Sequence, residues 1–517
     1  MIYYASMSRL TRISFLLTFF FALDKGLAIL RQVIIARQFG FSAELDAFNV
    51  ANNLPDLLFA LISGGAMGMA FIPALSETLS KQGKKAAWDL FSRIANLAFL
   101  VTGLLAIIIA ILADPLVKWE IGIAPGFTLV QQNLVINLMR LNLIATLIFS
   151  ISGLVMGGLQ ANQHFLLPAA APLLYNIGQI VGALILSPEK GYQIGGITLP
   201  AFGLGSYGLV CGVIIGAFLH LGIQIPALIK YQFRWTPAIG LRDTAVKNVL
   251  RLLGPRLLTM LFIQLIFIVR DNLASRLGEG SVSALTYGWM IQQVPETLLG
   301  TAIATALLPT LAEMSARKEI QQFHQTIERA VRVLFAICVP MSVILAAGLY
   351  PLLSIFRLNV SGTDLLLRVS QGFLVGLLGH SLMEIAARSF YAQKDALTPL
   401  KTGALNFVVY IILTVSLSRF LGPAGISLGD SLAFTGQAIL LFWLLYRRSG
   451  IKISLGTIPL RGLVAAGISG CIVVLIMQIP ASGWVGIFLA ITGITAGLLI
   501  TVPFIRNELR LLLHLGD

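Results

Sequence analysis

Long apolar segments follow one another along the whole chain, separated by short polar stretches. A transmembrane helix needs about 20 apolar residues to cross the hydrocarbon layer of a bilayer. Fourteen segments of this kind can be drawn, near residues 10–39, 44–78, 86–113, 127–159, 164–187, 201–230, 243–276, 281–314, 322–349, 363–392, 396–419, 427–447, 459–479 and 483–505. The pattern predicts an all-α polytopic membrane protein with about 14 transmembrane helices.

Four of the predicted spans are interrupted. The first contains Asp24-Lys25, the second Pro55 and Gly64-Gly65, the seventh Gly254-Pro255, and the eighth Pro295. Interruptions of this kind free backbone groups and permit bends, and they are tolerated where helices line a cavity. We therefore expect bends in these four spans.

The composition agrees with a membrane protein and excludes a soluble one. Of the 517 residues, 57% are hydrophobic and 11% are charged, whereas soluble globular proteins carry about 25% charged residues. The net charge of +14 does not require a nucleic-acid partner, because membrane proteins carry excess Lys and Arg on cytoplasmic loops. These residues fall mostly on one side if the N-terminus is cytoplasmic, so we expect both termini on that side.

Two short motifs recur in the second half of the chain. PALSE at residues 73–77 returns as PTLAE at 309–313, and GLQANQ at 158–163 has the counterpart SFYAQK at 389–394. The two pairs occur in the same order, between 230 and 240 residues apart. The recurrence indicates that spans 1–6 and spans 7–12 are two copies of one unit.

This repeat predicts three parts of the chain. They are an N-terminal lobe at 1–235, a C-terminal lobe at 236–450, and an additional helix pair at 451–517. Each lobe has an even number of spans, so both have the same membrane orientation. Their pseudo-two-fold axis is therefore expected to run along the membrane normal.

Ionisable residues inside the predicted spans are candidates for function. A charged side chain at bilayer depth costs about 2.5–3.5 kcal/mol, so it usually faces a cavity or a partner. Arg binds phosphate oxygens through paired donors and Lys adds a point charge, so a cationic cavity suits a pyrophosphate. The candidates for substrate binding are Lys25, Arg31, Asp46, Arg256 and Arg270, and those for binding a coupling ion are Asp24, Glu296 and Glu384.

Simpler roles stay open for several of these residues. Lys25 and Arg31 are six positions apart, close to two helical turns, so they share a face only roughly. Arg270 could form a local ion pair with the adjacent Asp271. Glu296 could equally join one helix to another.

Other chemistry is not indicated. The five histidines have no metal-ligand spacing, no Gly-rich phosphate loop precedes a Lys, and the three cysteines lie scattered in apolar runs. We therefore expect a transporter rather than an enzyme, with no cofactor and with membrane potential or an ion gradient as its energy source.

The N-terminal sequence resembles that of a known family. RQVIIARQFG at 31–40, LDAFNVA at 45–51 and LPDLL at 54–58 are similar to the N-terminal signature of the MurJ/MviN lipid II flippases. These belong to the multidrug/oligosaccharidyl-lipid/polysaccharide exporter superfamily. In the second half, SVSALTY at 281–287 and the segment from Pro295 to Pro309 also resemble the family.

The resemblance implies two six-helix lobes around a central cavity, with the C-terminal pair forming a lipid-facing groove. It implies translocation of a polyprenyl-pyrophosphate-linked saccharide, foremost the peptidoglycan precursor lipid II, from the inner to the outer leaflet by alternating access. The location implied is the bacterial plasma (inner) membrane, and the implied role is in cell-wall biogenesis. The implied partners are the lipid-linked anionic saccharide, membrane lipids and the cell-wall synthesis machinery, but no nucleic acid.

The resemblance also assigns residues. Arg31 corresponds to a cavity arginine of the family, Lys25 stands where another cavity arginine is usual, and Asp46 matches the acidic residue that opens the second helix. A Lys keeps the charge of an Arg but loses its bidentate fork.

Three positions depart from the family pattern. Gln32 replaces an Asp, Phe59-Ala60 replaces a basic pair, and Trp289-Met290 stands where the eighth helix usually carries an arginine. Arg256 or Arg270 could substitute for that arginine.

Three alternative functions stay open. They are a flippase for another lipid-linked polysaccharide, a cation-coupled multidrug exporter of the same superfamily, and a membrane scaffold without transport activity.

Overall fold

The structure is a computed structural model that describes residues 9–62, 65–450, 454–481 and 483–513. Within these ranges nearly every element is a helix, apart from one short antiparallel ribbon in which β1 (Gln193–Ile194) pairs with β2 (Ile197–Thr198). The prediction of an all-α polytopic protein is confirmed. By contacts between residues, the chain divides into two compact units, 1–268 and 269–517.

The first unit contains nine helices in its described part and the beginning of a tenth. They are α1 (Arg9–Phe39), α2 (Ala43–Ala51), α3 (Asn53–Ile62), α4 (Gly65–Ile111), α5 (Ala113–Lys118), α6 (Leu129–Ala161), α7 (Leu166–Val181), α8 (Ser206–Gly222), α9 (Ile225–Lys230) and α10 (Thr244–Ala274). A π-helical turn, Gly182–Leu186, follows α7.

The second unit takes the end of α10 and, in its described part, nine further helices. They are α11 (Ser281–Glu296), α12 (Ala302–Ala316), α13 (Ile320–Leu353), α14 (Val360–Val375), α15 (Leu377–Ala392), α16 (Leu397–Leu421), α17 (Pro423–Ser449), α18 (Ile458–Met477) and α19 (Gly483–Leu513). A π-helical turn, Thr297–Thr301, joins α11 to α12, and a 3₁₀ turn, Ser354–Phe356, follows α13.

Ten helical segments within the described ranges are long and apolar enough to cross a membrane, or eleven if the bent pair α14 and α15 is one span. The number of fourteen spans therefore stays a prediction. Helices α1 and α10, each of 31 residues, lie at the positions of the first and seventh predicted spans but are not among the ten.

The predicted second span, near 44–78, is not one helix. Helix α2 ends at Ala51, and α3 starts at Asn53. Pro55 lies in the first turn of α3. Backbone N–H groups there have no intrahelical acceptor, so a proline, which has no N–H, removes no helical hydrogen bond. Helix α4 then continues through the start of the predicted third span, broken where Gly83 leaves the helical conformation with φ 86° and ψ 178°.

The other expected bends have different outcomes. Helix α1 runs without a break through Asp24-Lys25, and α10 runs through Gly254-Pro255. Pro295, in contrast, is followed directly by the π-helical turn Thr297–Thr301. The regular α-helical hydrogen bonding of the eighth span is therefore interrupted just after its proline.

In the first unit, α7 and α8 approach each other along glycines. A Cβ on Gly178 would lie 2.3 Å from Cα of Gly216, and one on Gly182 would lie 2.6 Å from Cα of Gly212. Small residues four positions apart let two helix backbones pack closely in a membrane protein. This contact fixes α7 against α8, on a different face of α7 from the one that carries Asn176.

In the second unit, α14 and α15 approach α17 in a similar way. The bend of 40° between α14 and α15 falls at Gly376. A Cβ on Gly376 would lie 2.4 Å from Oγ of Ser431, and one on Gly379 would meet Thr435 at 2.0 Å. Ser431 also donates to the carbonyl oxygen of Gly372 over 2.7 Å. These residues form the α15–α17 seam, defined by Gly372, Gly376, Gly379, Ser427, Ser431 and Thr435.

The segment after α9 is held along the second half of α4. The indole of Trp88 donates to the carbonyl oxygen of Tyr231 over 3.0 Å, and Asn96 donates to that of Thr236 over 2.8 Å. The predicted boundary between 235 and 236 falls in this segment. The three-part division at 1–235, 236–450 and 451–517 stays a prediction.

Candidate substrate-binding site

A hydrogen-bonded group in the first unit joins α1 to α7. Nη1 of Arg31 donates to Oδ1 of Asn176 over 2.9 Å, and Nδ2 of the same amide donates to Oδ1 of Asp24 over 2.8 Å. The Asn176 side chain is buried and also donates to the carbonyl oxygen of Pro172 over 3.3 Å. One amide therefore holds a cation and an anion of the first helix in fixed positions.

The helical period explains which residues meet. Asp24 and Arg31 are seven positions apart, which is almost two full turns, so they project from the same face of α1. Lys25 is six positions from Arg31 and therefore projects about 120° away. Its side chain is exposed. The structure brings Arg31 together with Asp24 rather than with Lys25.

Arg31 keeps hydrogen-bonding capacity beyond Asn176. A guanidinium has five N–H donors, and its Nε is buried without a partner within the described ranges. Asp56 on α3 and Tyr175 on α7 lie close enough to interact with Arg31 electrostatically. Arg31 is therefore a cation with spare donors, oriented by Asn176 on α7 and close to the carboxyl group of Asp56 on α3.

Asp46 is fully buried on the first turn of α2. Its backbone N–H donates to the carbonyl oxygen of Ser42, the N-cap residue, over 3.0 Å. A carboxylate there complements the positive end of the helix dipole. This position gives Asp46 a structural role in α2, and its contact with substrate stays a prediction.

Arg270 is paired within the second unit. Its Nε lies 2.7 Å from Oδ1 of Asp271, and its Nη2 donates to Oγ1 of Thr286 over 3.4 Å. The Arg270 side chain is buried. The local ion pair that the sequence left open is therefore present. Arg256 lies on α10, but its side chain is outside the described residues.

The two acidic residues proposed for ion coupling in the second unit have local partners. Glu384 forms an ion pair with Arg388, one turn further along α15, and Arg388 also donates to Thr305 over 3.1 Å. Oε1 of Glu296 accepts from Oγ1 of Thr301 over 3.0 Å, across the π-helical turn. Their roles in coupling, like that of Asp24, stay predictions.

The position without the usual arginine is occupied by an aromatic contact. The Trp289 ring lies 5.8 Å from that of Phe373 and 5.7 Å from that of His380, edge-on in both cases. The structure therefore places packing, rather than a cation, at this point of α11.

The sequence analysis missed three buried polar residues: Asn176, and the pair His380 and Asp430, whose side chains lie 3.0 Å apart in the second unit. Asp430 interrupts an apolar span and could have been found by the rule that identified the other charges. Asn176 carries no charge, and His380 has no metal-ligand spacing, so neither gave a signal. Across the described part of the chain, no group of three or more His, Cys, Asp or Glu side chains could hold a metal ion.

The comparisons with known proteins cover nearly the whole chain. A profile described as "Lipid II flippase MurJ" matches residues 35–495. The lipid II flippase MurJ of Burkholderia cenocepacia is 29% identical over 445 residues, covering 83% of this chain and 82% of that protein. A probable lipid II flippase MurJ of Rhizobium tropici is 26% identical over 484 residues, covering 91% and 88%.

Solved structures agree on the fold. The lipid II flippase MurJ in an inward closed conformation aligns with a TM-score of 0.76 at 21% identity, covering 96% of this chain and all of that one. An inward-facing multidrug resistance transporter of the MATE family, in the MOP superfamily, aligns with a TM-score of 0.69 at 16% identity, covering 83% and 96%. Because the sequence profile matches most of the chain, this protein belongs to the lipid II flippase MurJ family.

Proposed function

We propose that this protein translocates lipid II, a polyprenyl-pyrophosphate-linked saccharide, from the inner to the outer leaflet of the bacterial plasma membrane. Family membership and the curated relatives named lipid II flippase support this proposal. No covalent bond is made or broken. The protein alternately opens to the two sides of the membrane, with both termini in the cytoplasm.

The observation that carries the proposal to the residue level is the Arg31–Asn176 hydrogen bond. An arginine within an apolar stretch of a helix is costly at bilayer depth unless it is partnered. Asn176 accepts a hydrogen bond from one N–H group of the guanidinium, which leaves the other N–H groups free to bind a diphosphate. Because the side chain is already oriented, binding of the headgroup loses less conformational freedom.

Lys25 contributes a second positive charge from its exposed position on the same helix. A lysine acts on phosphate as a flexible point charge, so it attracts the headgroup without fixing its orientation. We assign Arg31 to hold the pyrophosphate and Lys25 to attract it, while the polyprenyl tail stays in the bilayer. An ion gradient or the membrane potential supplies the energy.

A reconstituted lipid-accessibility assay tests this function. Full-length protein is placed in vesicles containing labelled lipid II, and the rate at which label reaches the outer face is measured. We expect the wild type to move lipid II, and Arg31→Ala to slow this movement about tenfold, the effect of about 1.4 kcal/mol of lost interaction. Arg419→Ala is the matched control, because Arg419 is an exposed arginine in the last turn of α16.

The same vesicles separate the alternatives. Movement of another polyprenyl-linked saccharide but not lipid II would reassign the substrate. Uptake of cationic drugs without lipid movement would indicate an exporter, and no transport of either would indicate a scaffold. In cells, the wild type should support growth after depletion of the resident flippase, whereas Arg31→Ala at equal expression should not.

A further inference from the structure

A buried acid–base pair joins two helices of the second unit. Nε2 of His380 on α15 lies 3.0 Å from Oδ2 of Asp430 on α17. The two side chains are 5% and 7% exposed. The ring of Phe434, one turn after Asp430, stacks on that of His380 at 4.3 Å, and the Trp289 ring lies edge-on at 5.7 Å. Aromatic rings therefore separate the pair from solvent.

Neighbouring helices bring further titratable groups to this pair. Helix α10 contributes Arg270 and Asp271, and α16 contributes Tyr410; all three are buried. Arg270 and Tyr410 both interact electrostatically with Asp430. On α11, the side chain that contacts His380 is the uncharged indole of Trp289.

Helix α13 adds one thiol to these surroundings. Sγ of Cys338 lies 3.7 Å from Oγ of Ser381, the residue after His380, and both residues are buried. A buried thiol is a weak donor and carries no charge. It therefore adds no charge itself, and the carboxyl of Glu296, at the end of α11, acts on it electrostatically.

The charges of Arg270, Asp271, His380 and Asp430 sum to zero when His380 carries a proton. Arg270 and Asp271 form a close ion pair and cancel each other. Asp430 with a neutral imidazole leaves one uncompensated negative charge, whereas Asp430 with an imidazolium leaves none. A buried carboxylate without an opposite charge is strongly disfavoured, so the pair favours uptake of one proton.

The pair lies beside a structural bend. His380 comes four residues after Gly376, where α14 and α15 meet at 40°. It is also next to Gly379, whose close approach to Thr435 belongs to the α15–α17 seam. Glycine sites of this kind are common points of helix bending and hinge motion. Adding or removing a charge at the seam changes the energy of holding α15 against α17.

Polar side chains continue from the pair along two helices. Both polar atoms of Gln292 and Oδ1 of Asn406 are buried without partners within the described residues. Gln292 lies one turn beyond Trp289 on α11, and Asn406 lies one turn before Tyr410 on α16, so each shares a face with that residue. These atoms are buried hydrogen-bonding positions on two of the helices that contribute to the surroundings of the pair.

We propose that His380 and Asp430 form a proton-binding site, and that binding and release of one proton there drive the conformational cycle of the transporter. The ligand is a proton exchanged with the aqueous phases on the two sides of the membrane. Proton binding at this site does not depend on the function proposed above, whereas the coupling of proton binding to lipid movement rests on it.

Proton binding is measured first, without any lipid substrate. Full-length protein in lipid nanodiscs is titrated from pH 8 to pH 5 while its tryptophan fluorescence is recorded. A cation beside an indole perturbs its electronic state, and the signal of Trp289 among the six tryptophans is isolated by subtracting a Trp289→Phe variant. We expect a single pH-dependent transition in the Trp289 signal.

Variants assign that transition. His380→Gln should abolish it, and Asp430→Asn should abolish it or displace its midpoint, because it removes the carboxylate that lies 3.0 Å from the imidazole. His324→Gln is the matched control, because His324 lies near the start of α13 and contacts only the Phe323 ring at 6.2 Å within the described contacts. A transition unchanged in both His380→Gln and Asp430→Asn would overturn the proposal. Asp430→Asn keeps the test decisive if His380→Gln does not fold.

Coupling is measured in lipid II vesicles without sodium, with the membrane potential clamped at zero. A pH gradient should accelerate movement by the wild type and by His324→Gln about tenfold, equivalent to about 1.4 kcal/mol, and should have no effect on His380→Gln. If the wild type moves lipid II at the same rate with and without the gradient, coupling is refuted while the proposed function stands. If it moves no lipid II under any condition, the proposed function fails, and the fluorescence titration still decides proton binding.

Discussion

Arg31 on α1 donates from Nη1 to Oδ1 of Asn176 on α7 over 2.9 Å, across 145 positions of sequence. The bond uses one donor of the guanidinium and orients the rest. It also makes an uncharged residue responsible for the position of the cation that we assign to substrate. The consequences of this arrangement, and of three other contacts, can be measured.

Replacing Asn176 with Ala should reduce lipid II movement about tenfold while leaving Arg31 in place. A hydrogen bond to a charged group contributes about 1.5–3 kcal/mol, and Asn176 makes two such bonds, to Arg31 and Asp24. Lipid accessibility in vesicles measures the effect. Asn162→Ala is the control, because the Asn162 amide donates to the Gly158 carbonyl oxygen, away from this group. Equal rates for the two variants would remove Asn176 from the mechanism.

Replacing Gly212 with Ala should destabilise the first unit. The added Cβ would lie 2.7 Å from Cα of Gly182, so α7 and α8 would have to separate. Overpacking of this kind costs about 1–3 kcal/mol. A lower thermal unfolding temperature in detergent would show it.

Gly222→Ala is the matched control for this prediction. Gly222 ends α8, and a Cβ there would meet no atom within 4 Å. Its replacement should leave the unfolding temperature unchanged or slightly raised, because Ala favours a helix over Gly. A similar fall in unfolding temperature in Gly212→Ala and Gly222→Ala would show that the α7–α8 contact is not its cause.

Asp395, in the loop before α16, should make stability depend on pH. Burial raises the pKa of its carboxyl, but hydrogen bonds from Thr398 and Arg448 outweigh burial and hold this pKa below the ordinary value of 3.8. Oδ2 of Asp395 lies 2.6 Å from Nη1 of Arg448 and 2.8 Å from Oγ1 of Thr398. The folded state therefore favours the ionised carboxyl.

A depressed pKa of an acid contributes stability that is present above the unfolded-state value and is lost as pH falls through the folded-state value. Asp395→Asn should therefore unfold at a lower temperature than the wild type at pH 7. The difference should shrink as the pH falls below about 3.8. Thermal unfolding at a series of pH values measures it, and a difference independent of pH would contradict this prediction.

The ion pair between α18 and α19 should stabilise the C-terminal pair of helices. Nη2 of Arg461 lies 3.1 Å from Oε2 of Glu508, whose side chain is 3% exposed. Glu508→Gln should lower the free energy of unfolding by about 1–3 kcal/mol, less than for a fully buried pair because the Arg461 side chain is 35% exposed. Glu77→Gln, which removes the exposed pair with Lys81, should have no measurable effect in the same thermal assay.

The sequence predicted most helices because hydropathy is a local property. Apolar length alone located spans such as α6 and α18 to within a few residues. It did not divide residues 44–78 into separate helices, although the interruption expected there from Pro55 is present, as a turn at Asn52. Such a turn depends on what the neighbouring helices pack against, which hydropathy does not record.

The sequence also identified which charges were unusual but not where their partners lay. Arg31 and Arg270 stood out as cations in apolar surroundings, and Asp271 was recognised as a possible partner because it is adjacent. Asn176 was not, because an amide far along the chain gives no signal until two helices pack.

By itself, then, the order of residues determined that this chain is a polytopic helical membrane protein of the lipid II flippase MurJ family, because span length, composition and motif are all read within short windows. Only the tertiary structure decided that Arg31 is held by Asn176 and that His380 meets Asp430. The second pair lies where Gly379 lets α15 approach α17 closely. Partners brought together across so many residues are selected by packing, which no local pattern encodes.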